Sequence, residues 1–225
     1  MRAMTESTTP VLTGGAESPG GDLARNRALR ESALSETRRN LIMDAARAAF
    51  LELGLDRASL REIAKRAGYS PGAIYTYFSS LEAIYGALLE ESLQRLQEAV
   101  VTAEGQAPSD APSEKVRATG LAFYAYYRDN PKDLDLGFYL FNGARPRGLT
   151  PELNRRLNDQ LMKALEPVRR GLEEIGHAPA QAVSETTAIF AHIVGTLMLA
   201  NTGRIRLFRQ DPDALDNRYL DSLLK

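Results

Sequence analysis

Between Ser59 and Phe78 the chain reads SLREIAKRAGYSPGAIYTYF, and these residues hold two helix starts separated by a single glycine. Ser59 is followed three residues later by Glu62, a capping box able to satisfy two otherwise orphaned backbone amides. Gly68 then supplies the left-handed geometry that ends a helix at little steric cost. Ser70 and Pro71 restart the chain as an N-cap and a first-turn proline, whose missing N–H would have no helical partner anyway. Two short helices joined by so tight a turn make a helix-turn-helix, a unit whose second helix fits the major groove of DNA.

The preceding sequence completes a small three-helix head. Ser35 reads as the cap of a helix in which Ile42, Ala45, Ala46, Ala49, Phe50 and Leu53 recur at helical spacing, and Gly54 closes it. Ile63, Ala64 and Ala67 are expected to point inward from the next helix, with Arg61, Lys65 and Arg66 outward. Ala73, Ile74 and Phe78 should hold the third helix against the other two. Arg38 and Arg39 fall in the first turn of the Ser35 helix, where the dipole disfavours cations unless an outside anion lies near. From Leu23 to Ser80 there are ten Lys/Arg and six Asp/Glu, a net +4 in a chain whose total is −1. The positive excess thus sits on the segment that carries the helix-turn-helix, as contact with phosphates requires. Residues 1–34, rich in Ser, Thr, Gly and Pro, read as a disordered arm. Its Arg25, Arg27 and Arg30 either reach a minor groove or belong to a solvated tail.

From Leu81 onward the pattern changes to longer amphipathic helices, expected near 81–104, 114–129, 132–142, 151–175, 180–202 and 212–224. Prolines and glycines mark the breaks, and no strand-type alternation competes. The expected fold is all-α, about nine helices, with a helix-turn-helix domain at 35–80 and a larger body at 81–225. There is no cysteine, so disulfides, thiolate nucleophiles and thiolate metal sites are excluded. No apolar run reaches the ~18–20 residues of a membrane span, and the first residues lack a secretory h-region. A cytoplasmic location without membrane attachment is the expectation, and neither a metal nor a cofactor is expected.

At Ser59–Phe78 the chain resembles the DNA-binding head of the TetR-type transcriptional regulators. The matching elements are Ser59, Ile63-Ala64, Ala67-Gly68, Ser70-Pro71-Gly72 and Ile74-Tyr75-Thr76-Tyr77-Phe78, with Ala45, Ala49, Phe50 and Gly54 in the helix before. The resemblance implies that Ser59, Tyr75 and Tyr77 contact phosphate or sugar, with Arg61 and Lys65 as further phosphate contacts. It places Pro71, Gly72, Ala73 and Thr76 near the bases, where small side chains suit thymine methyls better than bidentate guanine readout, and counts Ser70 among the DNA-binding residues. The family usually has a phosphate-binding lysine where this chain has Leu81. That loss removes about one counterion from the salt dependence, which Ser79 and Ser80 can offset in part.

The body carries a second signal, FYAYY at 123–127 and GFYLF at 137–141 on successive expected helices. Phe123, Tyr124, Tyr127, Phe138, Phe141, Asn142 and His192 (with Arg145 as a further polar group) could line an apolar pocket, or the rings could simply be core. The resemblance implies such a pocket for a small-molecule effector, apolar with a polar handle. Helix 180–202 is apolar around nearly its whole circumference in its second half, so it should be buried on all sides, part of it against another subunit. Ala191, Val194, Gly195 and Met198 are the expected contacts of a homodimer, which the resemblance also implies, with heads about 34–36 Å apart.

These features point to a ligand-responsive repressor that binds a palindromic operator in double-stranded DNA as a dimer. A protein–protein module that keeps the head's fold but not its DNA contacts competes with it, on the strength of Leu81. An enzyme with an accessory helix-turn-helix lacks support: there is no cysteine, no HExxH, GxSxG or P-loop, and only two isolated histidines. No catalytic residue is assigned.

Overall fold

In the computed structural model, residues 19–54, 57–137 and 150–225 are described. They form nine α-helices and one 3₁₀ turn, and no strand occurs among them. The helices are α1 (Pro19–Leu53), α2 (Leu60–Ala67), α3 (Pro71–Ile74), α4 (Leu81–Gly105), α5 (Pro112–Asp129), α6 (Pro131–Gly137), α7 (Pro151–Ile175), α8 (Pro179–Asn201) and α9 (Pro212–Leu223). The 3₁₀ turn, Arg204–Phe208, lies between α8 and α9. The chain divides into two compact units, Met1–Leu41 and Ile42–Lys225.

In the first unit the described backbone is the opening run of α1, with its described side chains exposed. The expectation of a helix capped at Ser35 is corrected: α1 begins at Pro19, so residues 19–34 of the expected arm are helical. Proline is as well suited to a first turn at 19 as elsewhere, and the Ala, Leu, Arg and Glu that follow are strong helix formers. Thr37 donates to the Ala33 carbonyl at 2.9 Å, the back-bond of a hydroxyl inside a helix. Arg38 and Arg39 therefore lie mid-helix, and the dipole gives no reason to expect an anion beside them.

The second unit is built around one continuous apolar core. In the head, Ile42, Ala46, Ala49 and Phe50 of α1 meet Ile63, Ala64, Ile74 and Phe78, all buried as the spacing predicts. Helix α4 carries this core into the body through Ile84, Tyr85, Leu88 and Leu89. There α4, α5 and α7 pack together at close range. A Cβ on Gly86 would lie 2.5 Å from Leu153 of α7, and one on Gly171 of α7 would lie 2.5 Å from Val116 of α5. Such contacts leave no room for even a methyl group without movement of the neighbour.

Helix α8 departs from expectation. It is long and apolar enough to cross a membrane by length and composition, yet it packs by one side against α5, α7 and α9. Ile189, Ile193 and Leu197 are buried, whereas Val183, Thr187, Ala191, Gly195 and Leu199 form an open row at four-residue spacing. The described part of α6 ends at Gly137, so the rest of the expected 132–142 helix lies outside the described residues.

Between α8 and α9 two polar groups are buried against each other. Asp216 has no exposed surface, and neither of its carboxyl oxygens has a hydrogen-bond partner. His192 Nε2 lies 3.9 Å from Asp216 Oδ1, while its ring stacks on Tyr219 at 4.1 Å. The Leu215 carbonyl holds the other imidazole proton. Burial pushes the Asp216 carboxyl up to about 7, aided by Asp213 and opposed by Arg117, while burial holds His192 below its ordinary value. Between the 3.8 of a free aspartate and this raised value, the folded chain retains a proton that the unfolded chain has released. Stability is therefore full in acid and declines as pH rises through about 7. Urea unfolding at pH 5 and pH 8 should show a loss on the order of 2 kcal/mol from Asp216, offset in part by His192, and Asp216→Asn, neutral throughout, should remove that loss.

Candidate nucleic-acid interface

The helix-turn-helix is shaped by four local devices. Ser59 is extended (φ −138°, ψ 154°), and its hydroxyl accepts the Glu62 N–H at 3.2 Å. Gly68 takes φ 74°, ψ 26°, and its N–H reaches back to the Ala64 and Lys65 carbonyls. The Ser70 hydroxyl accepts the Ala73 N–H at 3.3 Å, with Pro71 in the first turn of α3. Helix α3 is only four residues long, but Tyr77 and Phe78 both donate to the Ile74 carbonyl at 2.9 Å and extend its turn. Ser80 then caps α4 by accepting from the Ala83 N–H at 3.2 Å.

One half of the expected capping box is replaced. The Glu62 carboxylate does not serve the Ser59 amide; it accepts from Arg66 Nε at 2.8 Å. Arg66 also binds Glu52 of α1 at 2.7 Å and holds that carboxyl below its ordinary value. A charged partner four residues along the helix outcompetes a neutral amide for the same oxygen. Arg66 thus fastens α2 to α1. Among the described residues, Arg61 and Lys65 have no carboxylate partner and stand exposed.

Most of the expected contact residues are open to solvent. Ser59, Arg61, Lys65, Ser70, Pro71, Gly72 and Thr76 are exposed, and Tyr75 is 59% exposed. Ala73 and Tyr77 are half-buried, and Tyr77 packs against the core with its remaining edge outward. An open depression joins α2 to α3, lined by Ser59, Arg61, Glu62, Lys65, Tyr69 and Pro71. Tyr69 was not among the expected contacts. Its signal is the position just after the helix-ending glycine, where an apolar residue folds back onto the last turn. Leu81, at the first position of α4, is half-buried against the core.

The aromatic residues of the body fall into two groups. Phe123 and Tyr127 are buried together (ring centroids 5.4 Å apart), with Phe190 of α8 at 5.6 Å from Phe123 and Tyr126 at 5.2 Å from Tyr127. Tyr124 faces the other way and donates to Asp213 of α9 at 2.6 Å. His192 also faces α9, so it and Tyr124 do not join the Phe123–Tyr127 cluster. Phe138, Phe141, Asn142 and Arg145 lie outside the described residues. On α8, Ala191 and Gly195 are exposed, and Val194 and Met198 are half-buried.

Two routes connect the head to α6 beneath this cluster. Arg47 of α1 binds Glu91 of α4 at 3.2 Å; Glu91 also accepts from Arg95, and Arg95 reaches Asp133 of α6 at 2.9 Å. Tyr126 donates to the same Asp133 at 2.7 Å. In parallel, Phe50 of α1 meets Tyr85 edge-on at 6.0 Å, and the Tyr85 hydroxyl donates to the Leu136 carbonyl of α6 at 2.5 Å.

Comparison with known proteins agrees with this geometry. Residues 42–88 match the family described as bacterial regulatory proteins, tetR family. The HTH-type transcriptional repressor Rv1474c of Mycobacterium tuberculosis is 40% identical over 68 residues, 30% of this chain and 36% of that protein. The A-factor receptor protein of Streptomyces griseus is 39% identical over 56 residues, 25% of this chain and 20% of the receptor. The chain thus spans about a third and a fifth of these two relatives. The fold extends further: the transcriptional regulator FadR from Bacillus subtilis, solved in complex with stearoyl-CoA, superposes with a TM-score of 0.63 at 22% identity. That likeness covers 82% of this chain and 97% of the other.

Leu81 gives this surface a direct test. In Leu81→Lys the aliphatic stem can keep its packing while the ammonium emerges beside the α4 cap. DNA binding, followed by fluorescence anisotropy across a salt series, should tighten, and its salt slope should steepen by about one counterion. Helicity should be unchanged.

Proposed function

The chain carries a TetR-family head at residues 42–88, and from that premise we propose that it is a ligand-responsive transcriptional repressor acting as a homodimer on a palindromic operator. The observation that carries this is the exposed polar surface of α2 and α3. Its cations Arg61 and Lys65 have no carboxylate partner among the described residues, and Tyr75 and Thr76, at the end of α3, are exposed as well. Solvent-exposed aromatic and hydroxyl groups together with such cations form a surface suited to phosphate and sugar, with small residues at 71–73 leaving room for base edges. Leu81 does not favour the competing protein–protein module, because its packing against the core gives it a structural reason to be there.

The effector is a small molecule, largely apolar with a polar handle, held in the body near Phe123 and Tyr127. The stearoyl-CoA in the FadR complex, a ligand with an acyl chain and a charged nucleotide end, supports an effector of mixed polarity without identifying it. Displacement of α6 on binding would reach the head through Asp133–Arg95–Glu91–Arg47 and Leu136–Tyr85–Phe50. The switch needs an effector whose affinity differs between the operator-bound and free arrangements, since equal affinity shifts nothing. The protein acts in the cytoplasm, is not an enzyme and needs no cofactor.

Thr76→Ala combined with Tyr77→Ala tests the assignment. Electrophoretic shift with DNA flanking the native gene should show a specific complex for the parent chain and a loss of at least about tenfold for the double variant. Unchanged operator affinity in that variant would place the DNA surface elsewhere. Sequence-blind binding by the parent would remove the repressor function itself.

A further inference from the structure

Helix α9 carries a carboxyl into the body with no hydrogen bond to receive it. Asp216 has no exposed surface, and both of its oxygens lack a hydrogen-bond partner among the described residues. It faces His192 of α8, whose buried Nε2, 3.9 Å from Oδ1, is unpartnered in the same way. Because the Leu215 carbonyl takes the proton on the other ring nitrogen, neutral His192 turns a lone pair toward Asp216. A carboxylate at that depth would be unsolvated and would meet another acceptor, whereas a protonated carboxyl brings the missing hydrogen.

The charges around the pair offer no substitute for that proton. From α5, Arg117 attracts Asp216 but is bonded to Asn217 and Asp221, while Arg128 is bonded to Asp129 and Asp213. Tyr124 gives its hydroxyl proton to Asp213, which in turn repels charge on Asp216. From α8, Glu185 acts on Tyr219, the residue stacked on His192, and Arg218 of α9 disfavours a positive imidazole.

We propose that α9 stays docked on α5 and α8 only while Asp216 keeps its proton toward His192, so that losing it releases α9 and leaves the other helices packed. This goes beyond the DNA-binding function proposed above and does not depend on it. Helix α9 is suited to separate release. Its buried residues are Asp216 and Leu220, and Leu220 fits against Gly120, where a Cβ would come within 3.2 Å of it. Its polar ties to α5, from Asp213, Asn217 and Asp221, are partly open to water and so contribute little. A helix of only twelve residues, once detached, is marginal in water, so release and unwinding coincide. The closely packed α4, α5 and α7 contain neither member of the pair.

Docked, burial holds the Asp216 carboxyl up at about 7; released, it returns to 3.8. Across that interval release expels a proton, so it becomes more frequent as pH rises and levels off above about 7. His192 is held below its ordinary 6.5 when docked and takes up a proton on release in acid, which opposes the trend in part.

Native-state hydrogen exchange of the full chain, at pH 5 and pH 8 in urea below the unfolding transition, tests this. Labelling times are scaled for the intrinsic exchange rate at each pH. Amides of α9 should open by a process with a shallow urea dependence, since little surface is exposed, and about tenfold more often at pH 8. Amides of α4, α5 and α7 should open only with the steep dependence of global unfolding. In Asp216→Asn, shown to be folded by its circular dichroism, the shallow opening should be equally frequent at both pH values. Equal frequency in the parent chain would overturn the proposal. So would α9 amides that share the steep dependence of the core, because the helix would then leave only when everything unfolds. A surviving pH response in folded Asp216→Asn would assign the proton to another group and overturn it too; should that variant not fold, the parent's two measurements decide alone.

Discussion

Tyr85 is held at both ends, and the relation of head to body depends on that. Its ring meets Phe50 in the head edge-on, and its hydroxyl, buried with it, donates to the Leu136 carbonyl of α6. A buried phenol needs an acceptor, and the Leu136 carbonyl supplies it. Removing the hydroxyl would take that bond away, and removing the ring would open the head's core. The charged chain from Arg47 to Asp133 runs beside this bond and links the same two helices. It is partly exposed, so its contribution is screened by water. The buried tyrosine is the stiffer link.

Stiffness at this junction bears on how a body could act on a head. A flexible tether between them would let α6 move without consequence for α2 and α3. Here α4 is one unbroken helix that contributes to both cores, and α6 is bonded to two of its side chains, Tyr85 and Arg95. A shift of α6 must therefore break these bonds or carry α4 with it. Discrete repacking of this kind converts a small displacement into two distinct arrangements, because close-packed interiors do not deform continuously.

Much of this architecture was legible in the sequence, for reasons that are local. Ser59, Gly68 and Ser70 act at helix ends through groups within three or four residues, and their effects were readable from spacing alone. The exposed residues of α2 and α3 were legible for the same reason, since the caps fix which sides of the two helices face out. Where two local signals competed, the sequence was ambiguous. Ser35 looks like a cap, but nothing between Pro19 and Gly54 breaks a helix, so the helix runs through it. Glu62 looks like the return half of a capping box, but Arg66 takes its carboxylate. Features that depend on distant chain meeting distant chain were not legible. His192 and Asp216 are 3.9 Å apart in space on two different helices, and no periodicity marks them as a pair. Tyr124 fell beside Tyr127 in an aromatic run, yet one points to α9 and the other to the core.

The continuity of the core through α4 has a consequence for how such a chain can be recombined. A head cut out at Ser80, where the helix-turn-helix ends by sequence, would leave behind Ile84, Tyr85 and Leu88, which belong to the same core as Phe50 and Phe78. A transplanted head would present its apolar underside to unfamiliar side chains and lose its anchor to α6. The natural seam lies within α4, beyond Leu89, so the exchangeable piece is the head together with the first three turns of the helix that follows. Lineages that trade DNA specificity by shuffling segments would be constrained to cut there, in the middle of a helix and away from any loop.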